Sequence, residues 1–270
     1  MSNQQFTKIS FYVVAHADDW QLFMQPNAYN DLVVPGSKVV FIITTAGDAG
    51  TGETYWAARE EGSKSSLRFC LAPLAALSES SGIKEFNQHT INYWLANNAT
   101  CYFLRLPDGN LDGNGFSLYH YQSLYRLRSG QISTIIAIDT SATYIGWSDF
   151  CITLQTIIQT ESEGISEVWI NYLNPNTGTN PNDHIDHITT GQALQEMPVI
   201  SSLQQVLFVG YSVGTVGKNL QPTDLFWKAG MFAAYEKAVY DSCGYSTLQE
   251  SISTYIKWCL SSTNFITVNP

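Results

Sequence analysis

Apolar positions fall in short continuous runs separated by polar turns. The run Phe11-Tyr12-Val13-Val14-Ala15 carries no charge and is rich in Val, so Lys8 to Ala15 predicts a buried strand. Lys38 to Thr45, rich in Val, Ile and Thr, predicts a second. Further strands are predicted at Cys101 to Leu106, Ile132 to Ile138, Glu167 to Tyr172 and Val206 to Tyr211. Between the first two, Trp20 to Tyr29 predicts a short helix or irregular turn, limited by Pro26. Thr54 to about Leu77 predicts a long helix with Pro73 near its end. Helices are also predicted over Ser117 to Arg128 with Gly130 closing it, Phe150 to Gln159, His184 to Gln195, Thr223 to Tyr240 with Thr223 as N-cap, and Leu248 to Leu260. Loops are expected at Pro35-Gly36, Ala46 to Gly52, Pro107 to Asn110 and Asn174 to Asp183. Strands alternating with helices predict an α/β fold with a three-layer, mostly parallel sheet and helices on both faces. No repeat or low-complexity linker divides the chain, so residues 1–270 are expected to form one domain.

The first strand ends abruptly in His16-Ala17-Asp18-Asp19-Trp20. Ligands of open α/β sheets bind at the carboxyl edge of the strands. If the chain curls into a helical turn there, His16 and Asp19 can face one point, and imidazole and carboxylate are natural zinc ligands. Asp18 is left between them for a second task. Far downstream, Asn182-Asp183-His184-Ile185-Asp186-His187 opens a predicted helix. His184 and His187 share a face at this spacing, so one can complete a metal site and the other stand beside it. Alone, Asp18-Asp19 also reads as an acidic helix start, and His-x-x-His is a common pattern. Their joint occurrence, each after a predicted strand, points to a bound divalent ion, and the His/Asp set selects zinc, with another divalent metal as alternative.

Together the two segments resemble the PIG-L/LmbE-like family of zinc-dependent N-deacetylases. That family carries Ala-His-Pro-Asp-Asp-Glu after its first strand and His-x-x-His much later. Here the first reads Ala15-His16-Ala17-Asp18-Asp19-Trp20 and the second His184-Ile185-Asp186-His187, with Pro and Glu replaced by Ala17 and Trp20. The loop Thr45-Ala46-Gly47-Asp48, the helix segment Ala58-Arg59-Glu60-Glu61 and the turn Pro107-Asp108-Gly109 are also similar to the family's. The resemblance implies a Rossmann-like sheet and hydrolysis of an N-acetyl or N-acyl amide on an amino sugar. It implies His16, Asp19 and His187 as ligands of Zn²⁺ and Asp18 as the base that accepts a water proton. His184 would stabilise the oxyanion or protonate the leaving amine, Asp186 would orient or charge a His, and Arg59 and Asp108 would hold the substrate. Trp20 offers an indole face to stack on a sugar or an apolar aglycone; the alternative is that it plugs the core behind the metal loop.

Composition narrows the field. The formal charge is −10 and only 13% of residues are charged, which argues against nucleic acid and an anionic membrane surface. No apolar run is long enough to span a membrane and no signal peptide is visible, and five scattered cysteines without a C-x-x-C pair suggest reduced thiols, so a cytoplasmic location is expected. His89 and His120 have no acidic or histidine company and read as structural. Rival readings are a metallohydrolase of a phosphoester or another amide, disfavoured by the scarcity of Lys and Arg; a non-catalytic sugar- or metal-binding protein, which has no need of Asp18; and a dinucleotide binder, which lacks its G-x-G-x-x-G after the first strand.

Overall fold

A computed structural model describes residues 6–267. The chain runs β1 (Lys8–Val14), α1 (Asp19–Phe23), α2 (Asn27–Val33), β2 (Ser37–Thr45), α3 (Glu53–Leu71), β3 (Glu79–Phe86), β4 (His89–Ala96) and β5 (Ala99–Leu106). It continues through α4 (Leu124–Arg128), β6 (Thr134–Ile136), β7 (Thr143–Ile145), α5 (Gly146–Glu161), β8 (Glu167–Leu173), α6 (Ile185–Gln195), β9 (Gln204–Phe208), α7 (Pro222–Cys243), α8 (Leu248–Leu260) and β10 (Asn264–Thr267). Eight strands form one sheet in the order β10-β9-β8-β1-β2-β5-β4-β3, and β6 and β7 form a separate ribbon. Strands β9, β8, β1, β2 and β5 run parallel, while the outer pairs β9–β10, β5–β4 and β4–β3 are antiparallel.

Alternation along the central strands divides the core. Tyr12, Val14, Phe41 and Ile43 face a cluster built with α1, α2, α3 and α7. Phe11, Val13, Val40 and Ile42 face the other side, against α4, α5 and α6. Both faces of β1 are therefore covered, which is why its sequence is a continuous apolar run rather than an alternating one. The result is the expected three-layer α/β sheet, mostly parallel, with helices on both faces.

The chain departs from expectation at several places. The short helix expected over 20–29 is two helices separated at Pro26, whose ring cannot continue the first. The helix expected over 117–128 is a 3₁₀ turn at Ser117–Tyr119 and then α4, because His120 and Tyr121 both take left-handed backbone angles (φ 56° each). Ser123 starts α4 afresh, its side chain accepting the Arg126 N–H. The N-cap of α7 is Gln221 with Pro222 in the first turn, so Thr223 lies inside the helix. Strand β4 begins at His89, where the sequence allows a strand, but its hairpin partner β3 was not foreseen: β3 is an exposed edge strand with only Phe86 buried, so no alternating pattern marks it. Its two-residue turn, Asn87-Gln88, is left-handed at both positions, the geometry that suits a tight hairpin. Strands β7 and β10 were also unforeseen. His89 bonds Asp149 at 3.0 Å and stacks on Tyr144.

Helices α3 and α7 pack closely over the sheet, and Gly62 permits it. A Cβ there would meet the Tyr235 ring at 2.6 Å and Val239 at 3.0 Å. Gly62→Val is expected to destabilise the protein by about 1–3 kcal/mol through overpacking, read as a lower midpoint in urea unfolding with unchanged slope.

Candidate metal centre

The parallel strands deliver their following loops to one edge. The chain passes from β1 outward to β2 and β5, then returns across β1 to β8. That reversal opens a crevice at the carboxyl ends of β1 and β8, the usual ligand position in open α/β sheets. His16 and Asp19 follow β1, Asp48 follows β2, Asp108 follows β5, and His184 and His187 follow β8.

The turn after β1 is closed by Asp19, whose Oδ2 accepts the His16 backbone N–H at 2.8 Å. Its Oδ1 then lies 3.1 Å from His187 Nε2 and 3.7 Å from His16 Nδ1, and the two ring nitrogens are 3.2 Å apart. In a tetrahedral zinc site with ligands about 2.0–2.1 Å from the ion, neighbouring ligand atoms lie about 3.3 Å apart. The three separations, 3.1, 3.2 and 3.7 Å, bracket that spacing, and His16, Asp19 and His187 are all buried. Their protonation also fits. His187 Nδ1 is 2.9 Å from Asp183 Oδ1, so Nδ1 carries the hydrogen and the lone pair is on Nε2. His16 Nε2 faces Asp186 Oδ2 at 3.4 Å and has no other partner, which turns the lone pair of Nδ1 toward the same point. Two imidazole lone pairs and a carboxylate oxygen thus converge with no donor between them, an arrangement that a cation satisfies.

Charge around the cluster is strongly negative. Burial opposes a charge on His16, but Asp19 and Asp186 outweigh it and raise its pKa to about 9. Burial likewise opposes charge on His187, yet Asp183 and Asp19 hold its pKa well above the usual range. Burial would raise the Asp19 pKa, but His187 and His16 keep it well below the carboxylate range. His184 behaves oppositely, falling to about 4, because burial and the neighbouring His16 both disfavour its charged form.

His184 is the N-cap of α6, and its Nδ1 accepts the Asp186 N–H at 3.1 Å. The proton of the neutral ring therefore sits on Nε2, 3.9 Å from Asp108 Oδ1. Asp186 is fully buried; its Oδ2 accepts the Gly109 N–H at 2.8 Å. A Cβ at Gly109 would meet Asp186 Oδ1 at 2.4 Å, so only glycine lets the loop after β5 approach so closely. His16, Asp108, His184 and Asp186 lie close enough to form a second cluster of potential ligands sharing His16.

Asp18 lies on the cavity wall, paired with Arg59 Nη2. Arg59 also donates from Nε to Tyr235 Oη at 2.8 Å and from Nη1 to the Gly47 carbonyl. Its guanidinium, expected on substrate, is thus bonded to the loops after β1 and β2 and to α7, though part of it reaches the cavity wall. Asp108 accepts N–H groups from Asn110 at 2.8 Å and Ala49 at 3.3 Å and also reaches that wall. Trp20 is in the core rather than on the wall. It is fully buried, 4.6 Å from the Phe41 ring, and donates from Nε1 to Ser63 Oγ at 2.9 Å.

The sequence reading missed Asp183, which holds His187, Tyr235, which holds Arg59, and Tyr211, whose ring stacks on Trp258 at 4.8 Å to form one side of the cavity. Asp183 stands four residues before His187, a spacing visible in the sequence, but its place at the end of a Pro/Asn loop masked it. The cavity over the cluster encloses about 360 Å³. Its walls include Leu22, Phe23, Phe116 and Tyr255 besides the charged groups.

No protein-family profile matches the chain, and no curated protein matches it at a significant level. Among solved structures it is similar to the N,N′-diacetylchitobiose deacetylase of Pyrococcus horikoshii, at 15% identity and TM-score 0.45 over 96% of this chain and 84% of that one. It is similar to the zinc-inhibited form of a teicoplanin deacetylase at 11% identity and TM-score 0.45, over 86% and 85% of the two chains. It is also similar to the 4-carboxy-2-hydroxymuconate hydratase of Pseudomonas putida at 11% identity and TM-score 0.37, over 93% and 82%. Likeness of this extent spans both deacetylases and a hydratase, so it selects no activity; the side chains of this chain must do so.

Proposed function

We propose that this chain is a divalent-metal-dependent hydrolase, zinc being the metal its donors suit, that removes an N-acetyl or N-acyl group from an amino-sugar substrate. The observation that carries the reading is the convergence of His16 Nδ1, Asp19 Oδ1 and His187 Nε2, 3.1–3.7 Å apart, beside the carboxylate of Asp18 on the cavity wall. The motif resemblance to N-deacetylases supplies the amide and the sugar.

His16, Asp19 and His187 would hold the ion, whose Lewis acidity activates water and polarises the acyl carbonyl. Three protein ligands are the number that leaves a position open for chemistry. Asp18 takes the proton of the attacking water. The new bond joins water oxygen to the acyl carbon, the carbon–nitrogen bond breaks, and the proton held by Asp18 is the one the leaving amine requires. Arg59 fixes the Asp18 carboxylate toward the cavity. His184 acts through Nε2–H: with Nδ1 already accepting a backbone N–H, the neutral ring is a hydrogen-bond donor suited to the oxyanion. Asp108 and Asn110, beside it on the wall, suit sugar hydroxyls. Among the described lining residues Arg59 carries the one guanidinium, and its pairing with Asp18 leaves it engaged rather than free to grip a phosphate. Trp20, buried in the core, supplies no substrate contact in this reading.

Two measurements test it. Asp18→Asn keeps volume and removes the proton acceptor; acetate release from N-acetyl amino sugars is expected to fall by about 10²-fold or more while elemental analysis still finds about one metal per chain. Absence of acetate release by the wild-type protein across such sugars would overturn the reading in favour of a non-catalytic binder. Asp183→Asn keeps the shape beside His187 but weakens the acceptor that orients its ring. Metal affinity is expected to drop about 10–100-fold, read by competition with a chromogenic chelator.

A further inference from the structure

The loop after β5 leaves the sheet through an irregularity. Strand β5 keeps register with β2 from Val39↔Ala99 to Ile43↔Phe103, and the next pair is Thr45↔Leu106. Two steps along β2 thus match three along β5, so β5 carries one extra residue, a bulge. Arg105 lies in it and takes a left-handed backbone angle (φ 54°), which glycine adopts freely and a residue with a Cβ adopts at a cost. Beyond it the Leu106 carbonyl accepts the Ala46 N–H at 2.8 Å, the Asp108 N–H reaches Asp48 Oδ1 at 3.3 Å, and the Gly109 N–H donates to Asp186 Oδ2 at 2.8 Å. Bulges of this kind re-aim the chain beside functional sites.

The side chain of Arg105 gives the reason that the position is not glycine. Its Nε and Nη2 donate to the two carboxylate oxygens of Glu60 at 2.7 and 2.8 Å, and Nη1 donates to Asp139 Oδ2 at 2.6 Å. The ring of Trp56, one turn before Glu60 on α3, lies 4.8 Å from the guanidinium carbon. A forked pair of this kind fixes direction as well as distance. The Arg105 carbonyl also accepts the Ile138 N–H at 2.8 Å. An unfavourable backbone angle persists where its surroundings over-determine it, and here they do. Among the described residues that wall the cavity, the loop after β5 supplies Asp108, Asn110 and Leu111 but not Arg105, so its effect on the site travels through the backbone.

We infer that Arg105 is a positioning residue of the metal centre: the clamp of Glu60, Asp139 and Trp56 holds the kink in β5, and the kink sets the Gly109 N–H against Asp186, which in turn faces His16 Nε2 at 3.4 Å. Helix α3 then fixes the site with two successive residues. Arg59 holds the loops after β1 and β2, and Glu60, through Arg105, holds the loop after β5. This rests on the proposed function only for the presence of the ion, not for the reaction.

Zinc affinity of the full chain, read by competition with a chromogenic chelator, tests this, with the melting midpoint of each variant measured beside it. Arg105→Gly accepts the left-handed angle and removes the clamp. Affinity is expected to fall about tenfold or more at a temperature where the variant is folded. Asp139→Asn weakens the clamp from its more accessible side and is expected to give a smaller loss in the same direction, so it tests the inference even if Arg105→Gly fails to fold. In an Asp186→Asn background neither change is expected to lower affinity further, because the route is already cut. Unchanged affinity in the variants that fold, or a loss as large with Asp186 replaced as with Asp186 present, would overturn the inference whatever the melting midpoints. A wild-type chain that binds no zinc would overturn it together with the metal centre. The expected affinities without acetate release from N-acetyl amino sugars would uphold the positioning role and overturn only the hydrolase reading.

Discussion

The site depends first on where one guanidinium is placed. Arg59 is buried and ties together three parts of the molecule distant in sequence: Asp18 after β1, the Gly47 carbonyl after β2, and Tyr235 on α7. Two charges taken out of water are costly, and the pair is stable only because the remaining donors of the guanidinium are also used. Losing one partner leaves an uncompensated charge, an effect of about 3–5 kcal/mol for buried pairs, so Asp18 and Arg59 constrain each other. The consequence reaches the chemistry. A carboxylate next to Asp19 could swing toward the His16/Asp19/His187 cluster, but bonded to Arg59 it is kept on the cavity wall. The close approach of α7 to α3 at Gly62, which sets Tyr235, is therefore part of the same device.

A second constraint is electrostatic. Asp19, Asp183 and Asp186 surround His16 and His187, and the field they create favours positive charge at the point where the lone pairs meet. That is why both imidazoles are shifted toward holding protons despite burial. Protons and a divalent cation compete for the same lone pairs, so an arrangement that attracts one also attracts the other. His184 stands outside this competition. Its Nδ1 is committed to a backbone N–H, and its charged form is disfavoured by burial and by His16, so it stays a neutral donor beside that cluster.

Much of this was legible in the sequence, for a physical reason. Parallel strands buried on both faces must be continuous apolar runs, so β1, β2, β5 and β8 announce themselves, and the polar residues that end them mark the carboxyl edge. His16, Asp18, Asp19, His184 and His187 were singled out that way, and the fold brings them to one crevice. What escaped notice depends on partners that sequence spacing does not supply. Arg59 was visible, but its three bonds come from elements that only the fold brings together. Asp183 looked like the end of a loop until His187 turned back over it. Helix 117–128 reads well by composition, and the left-handed pair His120-Tyr121 that breaks it has no glycine to signal it. The edge strand β3 buries almost nothing, so no pattern of burial could write it into the sequence.

Position 20 differs from the motif that the chain otherwise resembles. Motifs of the resembling family end in a carboxylate there, while this chain has Trp20. The side chain enters the core behind the turn that carries His16 and Asp19, against Phe41, with Ser63 Oγ as the hydrogen-bond partner. An acid at this position would be left charged in an apolar setting against Phe41. An indole avoids that cost. It fills the volume and satisfies its one donor on a hydroxyl. The turn after β1, which carries His16, Asp18 and Asp19, is thus backed at this position by packing rather than by a further buried charge.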